Sequence, residues 1–229
     1  MDSNAEFDRY ARTYEKLLRD PVRDRFVQTS QFYHRRKWAL ITEFLERHGL
    51  VANTLSWLDV GCGKGELLKY GASHFERIAG CDPSIEMVRG AAGIEVELQK
   101  APDVLPFADA TFDFVTAVCV FHHVQERNRR PLTCEIRRVL RASGVFCIIE
   151  HNPFNLITRW IVNRCPVDVG ARLLAPRSAR LYAQAAGFGH LETQYFLYLP
   201  ERLYDKMAAV ERLCRGLPLG GQYAMFARK

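Results

Sequence analysis

Three glycines spaced two residues apart mark the part of the sequence best suited to bind a ligand. They lie in the stretch Asp59-Val60-Gly61-Cys62-Gly63-Lys64-Gly65. An apolar run ends at Val60 and a helix-forming segment begins at Glu66, so the order predicts a buried strand, a tight turn and a helix. Glycine allows close backbone approach and positive φ angles, and the helix offers unpaired N–H groups. The pattern therefore predicts a nucleotide-like ligand at the carboxyl end of the first strand.

The glycine spacing distinguishes between kinds of nucleotide site. A dinucleotide fingerprint needs a third small residue where this sequence has Glu66. A phosphate-binding loop needs Gly-Lys-Ser/Thr, which the sequence lacks at this point. Asp82 ends the next apolar segment about 20 residues downstream, where such folds place an acid that binds ribose hydroxyls. An NAD-dependent oxidoreductase is therefore disfavoured, and a different ribose-bearing ligand is expected.

The motif Asp59-x-Gly61-x-Gly63-x-Gly65 followed by Asp82 resembles class I S-adenosylmethionine-dependent methyltransferases, of the type that acts on small molecules. The resemblance covers essentially the whole chain, including the loop 101–107 and the turn 141–144. It implies S-adenosyl-L-methionine as the cofactor. The residues that it implies for cofactor binding are Tyr14, Asp59, Gly61, Cys62, Gly63, Gly65, Asp82, Pro83, Met87, Ala101 and Cys119.

The resemblance also implies individual roles for these residues. The glycine loop would lie against the methionine part of the cofactor, and Asp82 would hold the ribose hydroxyls. Tyr14 would reach the methionine carboxylate, and Met87 would lie against the adenine. The family's acid beside the adenine amino group is displaced here, so a backbone contact near Ala101 is expected instead of a contact from Asp103.

The alternation of strand and helix patterns predicts an α/β fold. We expect a doubly wound, Rossmann-like sheet of seven strands, mostly parallel with an antiparallel last strand, and an N-terminal helical cap. The expected strands are 55–60, 77–82, 93–100, 111–120, 145–150, 191–199 and 221–229. One domain is expected over 1–229, with a cap (1–50), a cofactor-binding half (51–152) and a lid with the C-terminal substrate half (153–229).

Three histidines follow predicted strands at the ends where such folds bind ligands: His122, His123 and His151. Histidine suits a general base because its unperturbed pKa lies near neutral pH, and a base assists methyl transfer to a hydroxyl. His151 and His123 are the predicted catalytic residues. Glu150 either orients an imidazole or ends its strand. A metal site formed by these histidines is the alternative, but no metal ligands are predicted, and Lys37 is interpreted as a solvated lysine.

Composition indicates an ordinary globular protein: 229 residues, 48% hydrophobic and 25% charged. The seven cysteines form no Cys-x-x-Cys pair, no apolar run is long enough to span a bilayer, and the polar first residues do not resemble a secretory signal. A cytoplasmic location is expected.

The charge of the chain is unevenly distributed. Residues 151–229 hold eleven Lys/Arg and five Asp/Glu, a net charge of +6. This region could face an acidic substrate, a membrane surface or nucleic acid, but the charges are dispersed, which favours a solvated face.

The favoured function is transfer of a methyl group from S-adenosyl-L-methionine to a small organic acceptor, at oxygen rather than at nitrogen or carbon. No nucleic-acid partner is expected. The alternatives are an RNA methyltransferase, suggested by the basic C-terminal third, and a cofactor-binding protein without transfer activity. The sequence does not specify the acceptor or the oligomeric state.

Overall fold

The structure is a computed structural model that describes residues 3–27 and 29–229, with side chains for residues 7–14, 16–27 and 29–229. Its strands are β1 (Ser56–Val60), β2 (Arg77–Asp82), β3 (Glu95–Leu98), β4 (Phe112–Val118), β5 (Leu140–His151), β6 (Gly189–Phe196) and β7 (Gln222–Arg228). Its helices are α1 (Ser3–Tyr10), α2 (Tyr14–Leu17), α3 (Pro21–Phe26), α4 (Ser30–Arg47), α5 (Glu66–Gly71), α6 (Ile85–Gly90), α7 (Glu126–Val139), α8 (Leu156–Arg164), α9 (Pro176–Ala185) and α10 (Glu201–Leu213).

The strands form one sheet in the order β3-β2-β1-β4-β5-β7-β6. All neighbouring pairs are parallel except those of β7, which runs antiparallel to both β5 and β6. The predicted seven-stranded fold with an antiparallel last strand is therefore confirmed. The chain order reverses between β1 and β4, and such a switch point places a ligand crevice at the carboxyl ends of these strands.

Two apolar layers cover the sheet, one on each face. On one face, α7 and α9 contribute Leu132, Ile136 and Ala183. On the other, α4 and α5 pack Phe44 and Leu68 against the sheet. Because the central strands are covered on both sides, β1 is buried along its whole length, as expected of a nearly continuous apolar strand.

Several local predictions differ from the structure. The predicted helical cap begins with two separate helices, α1 and α2, because the backbone at Thr13 is not helical. The turn predicted at 141–144 is part of β5, which pairs with β4 through a register shift. The first part of the predicted lid contains α8, whose first turn is capped by the Asn155 side chain accepting from the Thr158 N–H at 2.9 Å.

Gly220 fixes how the segment before β7 packs on β6. A Cβ at this position would lie 2.4 Å from the carbonyl oxygen and 2.8 Å from the nitrogen of Phe196. Both are backbone atoms, so a methyl group forces the segment to shift. We expect Gly220→Ala to lower the free energy of unfolding by about 1–3 kcal/mol, measured by urea denaturation. Gly216→Ala is the control, because a Cβ there meets no atom within 4 Å. Equal stability of the two variants would contradict this packing.

Candidate functional site

A large cavity opens at the carboxyl ends of the strands beside the switch point. Its volume is about 720 Å³, within the range of roughly 300–1,000 Å³ for small-ligand pockets. The sheet side is formed by the loops after β1, β2 and β4. The opposite side is formed by α2, α3 and α8, which contribute apolar side chains including Leu17, Phe26 and Ile161. The helical side is therefore mixed, because Arg23 of α3 and Arg164 of α8 line the cavity beside these apolar side chains.

The glycine loop forms one edge of the cavity. Gly61, Gly63 and Gly65 have φ angles of 69°, 56° and 70°, in the left-handed region that favours glycine. Space is also limited at two of them: a Cβ on Gly61 would lie 2.5 Å from a methyl of Val120, and one on Gly65 would lie 2.7 Å from Ile94. A side chain at either position would therefore strain the backbone and clash with a neighbour.

Asp82 holds the glycine loop against the end of β2. Its Oδ2 accepts the Gly63 N–H at 2.8 Å, and its Oδ1 accepts the Ser84 N–H at 2.9 Å. Burial raises the pKa of Asp82 to about 6, although these two N–H groups oppose the rise. Ser84 in turn donates its hydroxyl to Asp8 of α1 at 2.6 Å, so the N-terminal helix is attached next to this acid.

The region expected to contact adenine is formed by side chains and not by Ala101. Met87 is 4% exposed and lines the cavity. Gln99 and Lys100 line it as well, and the Gln99 amide donates to the Ala101 carbonyl at 3.0 Å. Ala101 itself is not part of the lining. Its carbonyl oxygen is thus occupied by a neighbouring residue.

A cysteine follows β4 at the centre of the cavity floor. Cys119 has a φ of 57°, and its Sγ accepts the Gln222 amide at 3.4 Å and lies 4.0 Å from Lys37 Nζ. Burial alone would raise the pKa of this thiol, but the positive charges of Lys37 and His151 outweigh it and bring the pKa to about 7. Lys37 is only 7% exposed, so the interpretation as a solvated lysine is wrong.

Histidines and carboxylates form a buried group on the side of the cavity next to β5. Glu150 is fully buried; it accepts the Phe121 N–H at 2.7 Å and lies 2.6 Å from His122 Nδ1. Asp168 Oδ1 lies 3.4 Å from the Nε2 atoms of both His122 and His123. Burial would lower the pKa of His122, but Glu150 and then Asp168 raise it to about 10. This group, Glu150, His122, His123 and Asp168, is called the histidine–carboxylate cluster below.

The cap touches this cluster directly. The Phe7 ring of α1 packs edge-on against His123, with 5.0 Å between ring centres. Tyr14 lies in the cavity wall, and its pKa is raised, mainly by burial and further by the thiol of Cys119 and the carboxylate of Asp168. His151 also lines the cavity, with its ring 5.2 Å from that of His122.

Residues 58–148 match the family model described as a methyltransferase domain. The fold is similar to solved methyltransferases, among them a Thermotoga maritima protein described as an S-adenosylmethionine-dependent methyltransferase and possible histamine N-methyltransferase. That structure superposes with a TM-score of 0.71 at 18% identity, over 97% of this chain and 98% of the other. Residues 58–148 therefore form a methyltransferase domain, as predicted from the sequence, and the fold is that of solved S-adenosylmethionine-dependent methyltransferases.

Related sequences add information about acceptors in other proteins. This chain is 31% identical over 130 residues to a tRNA (carboxymethyluridine(34)-5-O)-methyltransferase of Arabidopsis thaliana, covering 54% of this chain and 31% of that protein. It is 29% identical over 102 residues to an uncharacterized methyltransferase of Bacillus subtilis, covering 41% and 40%. The chain thus spans less than half of the length of these two relatives. A phosphoethanolamine N-methyltransferase of Haemonchus contortus, solved with S-adenosyl-L-methionine, has a TM-score of 0.59 at 17% identity, over 84% of this chain and 52% of that one.

Most of the predicted site residues meet at one place in the structure. His151, His123 and nine of the eleven predicted cofactor residues line the cavity. Gly65 and Ala101 do not: Gly65 instead precedes α5 as its N-cap, and the Ala101 carbonyl is bonded to Gln99. Binding and catalysis by the lining residues stay predictions.

Four cavity residues have surroundings that the sequence analysis did not anticipate: Lys37, His122, Asp168 and Gln222. A signal existed for Lys37, because it shares a helical face with the buried Leu40, Ile41 and Phe44. No sequence signal was available for Asp168, which lies 46 residues beyond His122 in the predicted lid. Among the helices of the described residues, none is long and apolar enough to cross a membrane.

Proposed function

We propose that the methyltransferase transfers a methyl group from S-adenosylmethionine to a hydroxyl oxygen of a small organic acceptor, held between the sheet and the helical cap. The observation that carries this proposal is the single covered cavity that joins the glycine loop and Asp82 to His151. Its volume of about 720 Å³ suits a cofactor and a small acceptor together. In this proposal, residues 1–50 and 153–176 form the acceptor side of the domain.

Transfer from a sulfonium is an in-line displacement: the bond from the methyl carbon to sulfur breaks as the bond to the acceptor oxygen forms. S-adenosylhomocysteine leaves, and the hydroxyl proton must be removed. Alignment of donor and acceptor alone supplies several kcal/mol in such reactions. We assign the proton to His151, because it lies at the carboxyl end of β5 and faces the cavity.

The residues around Cys119 have a separate part in this proposal. Lys37 and Gln222 hold the thiol at the end of β4, where the family brings the transferring methyl close. Their contacts fix the cavity floor beneath the reacting atoms. Asp59, whose pKa is raised to about 7 by burial, accepts the Thr116 hydroxyl at 2.5 Å and supports the same floor from β1.

RNA is the second candidate acceptor, because several relatives are described as tRNA methyltransferases and residues 151–229 are basic. Part of this basic charge is neutralised within the chain. Arg164 lies 3.6 Å from Asp20, and Arg215 forms a two-pronged contact with Glu43.

Methyl-labelled S-adenosylmethionine decides between these acceptors. The protein is incubated with total tRNA, and separately with a panel of phenols, aliphatic alcohols and carboxylic acids. We expect label in a low-mass product that resists alkali as an ether does, and none in tRNA. Label in tRNA, with a rate that falls steeply as salt rises, would replace the small-molecule proposal. S-adenosylmethionine binding without label in any acceptor would favour a cofactor-binding protein without transfer activity.

A further inference from the structure

The histidine–carboxylate cluster has the geometry of a metal site. One potential ligand atom from each of His122, His123 and Asp168 lies within 4.8 Å of the other two. Asp168 Oδ1 is 3.4 Å from each of the two nitrogens. Ligand atoms about 2.0–2.1 Å from a tetrahedral zinc ion lie about 3.3–3.4 Å apart. Two of the three separations therefore match the edges of a zinc coordination tetrahedron before any side chain moves.

We propose that His122, His123 and Asp168 bind a divalent transition-metal ion of the zinc type. Two imidazoles and one carboxylate suit zinc and the neighbouring first-row metals, whereas magnesium and calcium prefer oxygen ligands. All three residues line the large cavity, so the fourth coordination position faces it. Three protein ligands and one open position characterise catalytic zinc sites.

Glu150 supplies the outer contact that such sites need. It lies 2.6 Å from His122 Nδ1 and is fully buried. A carboxylate beside Nδ1 accepts a hydrogen bond from the Nδ1–H of a neutral imidazole. The proton is then held on Nδ1, and the lone pair of Nε2 is left for the metal. The Phe121 N–H donates to the other carboxylate oxygen at 2.7 Å and fixes its orientation. His122 is therefore held with Nε2 pointing towards Asp168.

The alternative occupant of this position is a proton. His122 Nε2 faces the Asp168 carboxylate at 3.4 Å, and a bare nitrogen lone pair beside a carboxylate oxygen is repulsive. A protonated His122 bridging Glu150 and Asp168 would satisfy the same contacts. His123 turns its Nε2 to the same Oδ1, so three potential ligand atoms converge beside the cavity. Protons on both rings would give two hydrogen bonds to that oxygen and leave no place for an ion, and the metal titration separates the two cases.

The position of the ion connects it with the cavity's chemistry. Tyr14 and His151 line the same cavity, so the open coordination position faces the space assigned to the acceptor. There the ion would hold the acceptor oxygen and lower the pKa of its hydroxyl. This role of the ion towards the acceptor rests on the proposed function, whereas metal binding itself does not.

Metal binding is tested on the full chain after treatment with a chelator, in the absence of cofactor and acceptor. Zn²⁺ is titrated by calorimetry, Co²⁺ by its visible absorption, and Mg²⁺ serves as the hard-ion control. We expect one Zn²⁺ or Co²⁺ per chain, a four-coordinate Co²⁺ spectrum without thiolate bands, and no binding of Mg²⁺.

Two ligand variants and one matched control complete the test. Asp168→Asn and His123→Asn should each weaken Zn²⁺ binding by more than the roughly 10–100-fold that loss of an outer contact costs. His190→Asn, on an exposed histidine of β6, should bind like the wild type. The His123 side chain is 20% exposed, so its replacement leaves the core intact, and thermal unfolding verifies both variants. No stoichiometric binding, equal binding by all variants, or thiolate bands from cysteines would overturn the proposal. None of these results depends on methyl transfer.

Discussion

Replacing Asp82 by asparagine is expected to weaken the binding of S-adenosylmethionine by about 100-fold. Both Asp82 oxygens accept backbone N–H groups, from Gly63 and Ser84, while the side chain lines the cavity. An asparagine has one acceptor oxygen, so one N–H loses its partner and the ribose loses a charged acceptor. Two hydrogen bonds from the ribose hydroxyls to a charged carboxylate contribute about 1.5 kcal/mol each. Their loss corresponds to about 100-fold in the dissociation constant of S-adenosylmethionine.

Asp103→Asn is the matched control for this prediction. It makes the same change from aspartate to asparagine at the next aspartate along the chain. Asp103 is not part of the cavity lining, so this variant should bind S-adenosylmethionine like the wild type. Thermal unfolding of both variants separates a lost contact from a lost fold. If Asp82→Asn, still folded, binds the cofactor as tightly as the wild type does, the ribose-binding role is wrong.

The second large effect is expected at His151. His151→Asn should lower kcat for the small acceptor by about 100- to 10,000-fold, the usual contribution of a general base. The dissociation constant of S-adenosylmethionine should stay unchanged, because the cofactor contacts lie on the glycine loop and β2. Single-turnover methyl transfer with saturating acceptor measures the chemical step directly.

His190→Asn is the control for this substitution, since His190 is exposed on β6 and is not part of the cavity lining. A His151→Asn enzyme with wild-type kcat would remove His151 from the role of base. A rise in KM with unchanged kcat would instead make His151 an acceptor-binding residue.

The cofactor half of the site could be predicted because its signals are local in the sequence. Positive φ angles at Gly61, Gly63 and Gly65 follow from spacing alone, and an acid at the end of the second strand is a position rule of the fold. Asp82 lies beside Gly63 because β1 and β2 are adjacent and parallel. The doubly wound fold predicted from the sequence therefore already brought these residues together.

The acceptor side could not be predicted in the same way. His122 and Asp168 come together through α8 and the turn after it, and no sequence spacing fixes that path. The signal for α8 was the Asn155 cap, but the helix exposes Leu156 and Ile157 and so lacks a clear apolar period. The break between α1 and α2 was not predicted either. Phe7, Tyr10 and Tyr14 share a helical spacing, although the backbone turns at Thr13.

Calorimetric titration of S-adenosylmethionine into the wild-type protein tests the central claim most directly, with NADH as the control ligand. The cavity, the glycine loop and Asp82 predict saturable binding of S-adenosylmethionine and of S-adenosylhomocysteine at one site per chain, and no binding of NADH. A protein that is folded but binds neither adenosyl ligand would contradict the assignment of this cavity as a cofactor site, and with it the proposed methyl transfer.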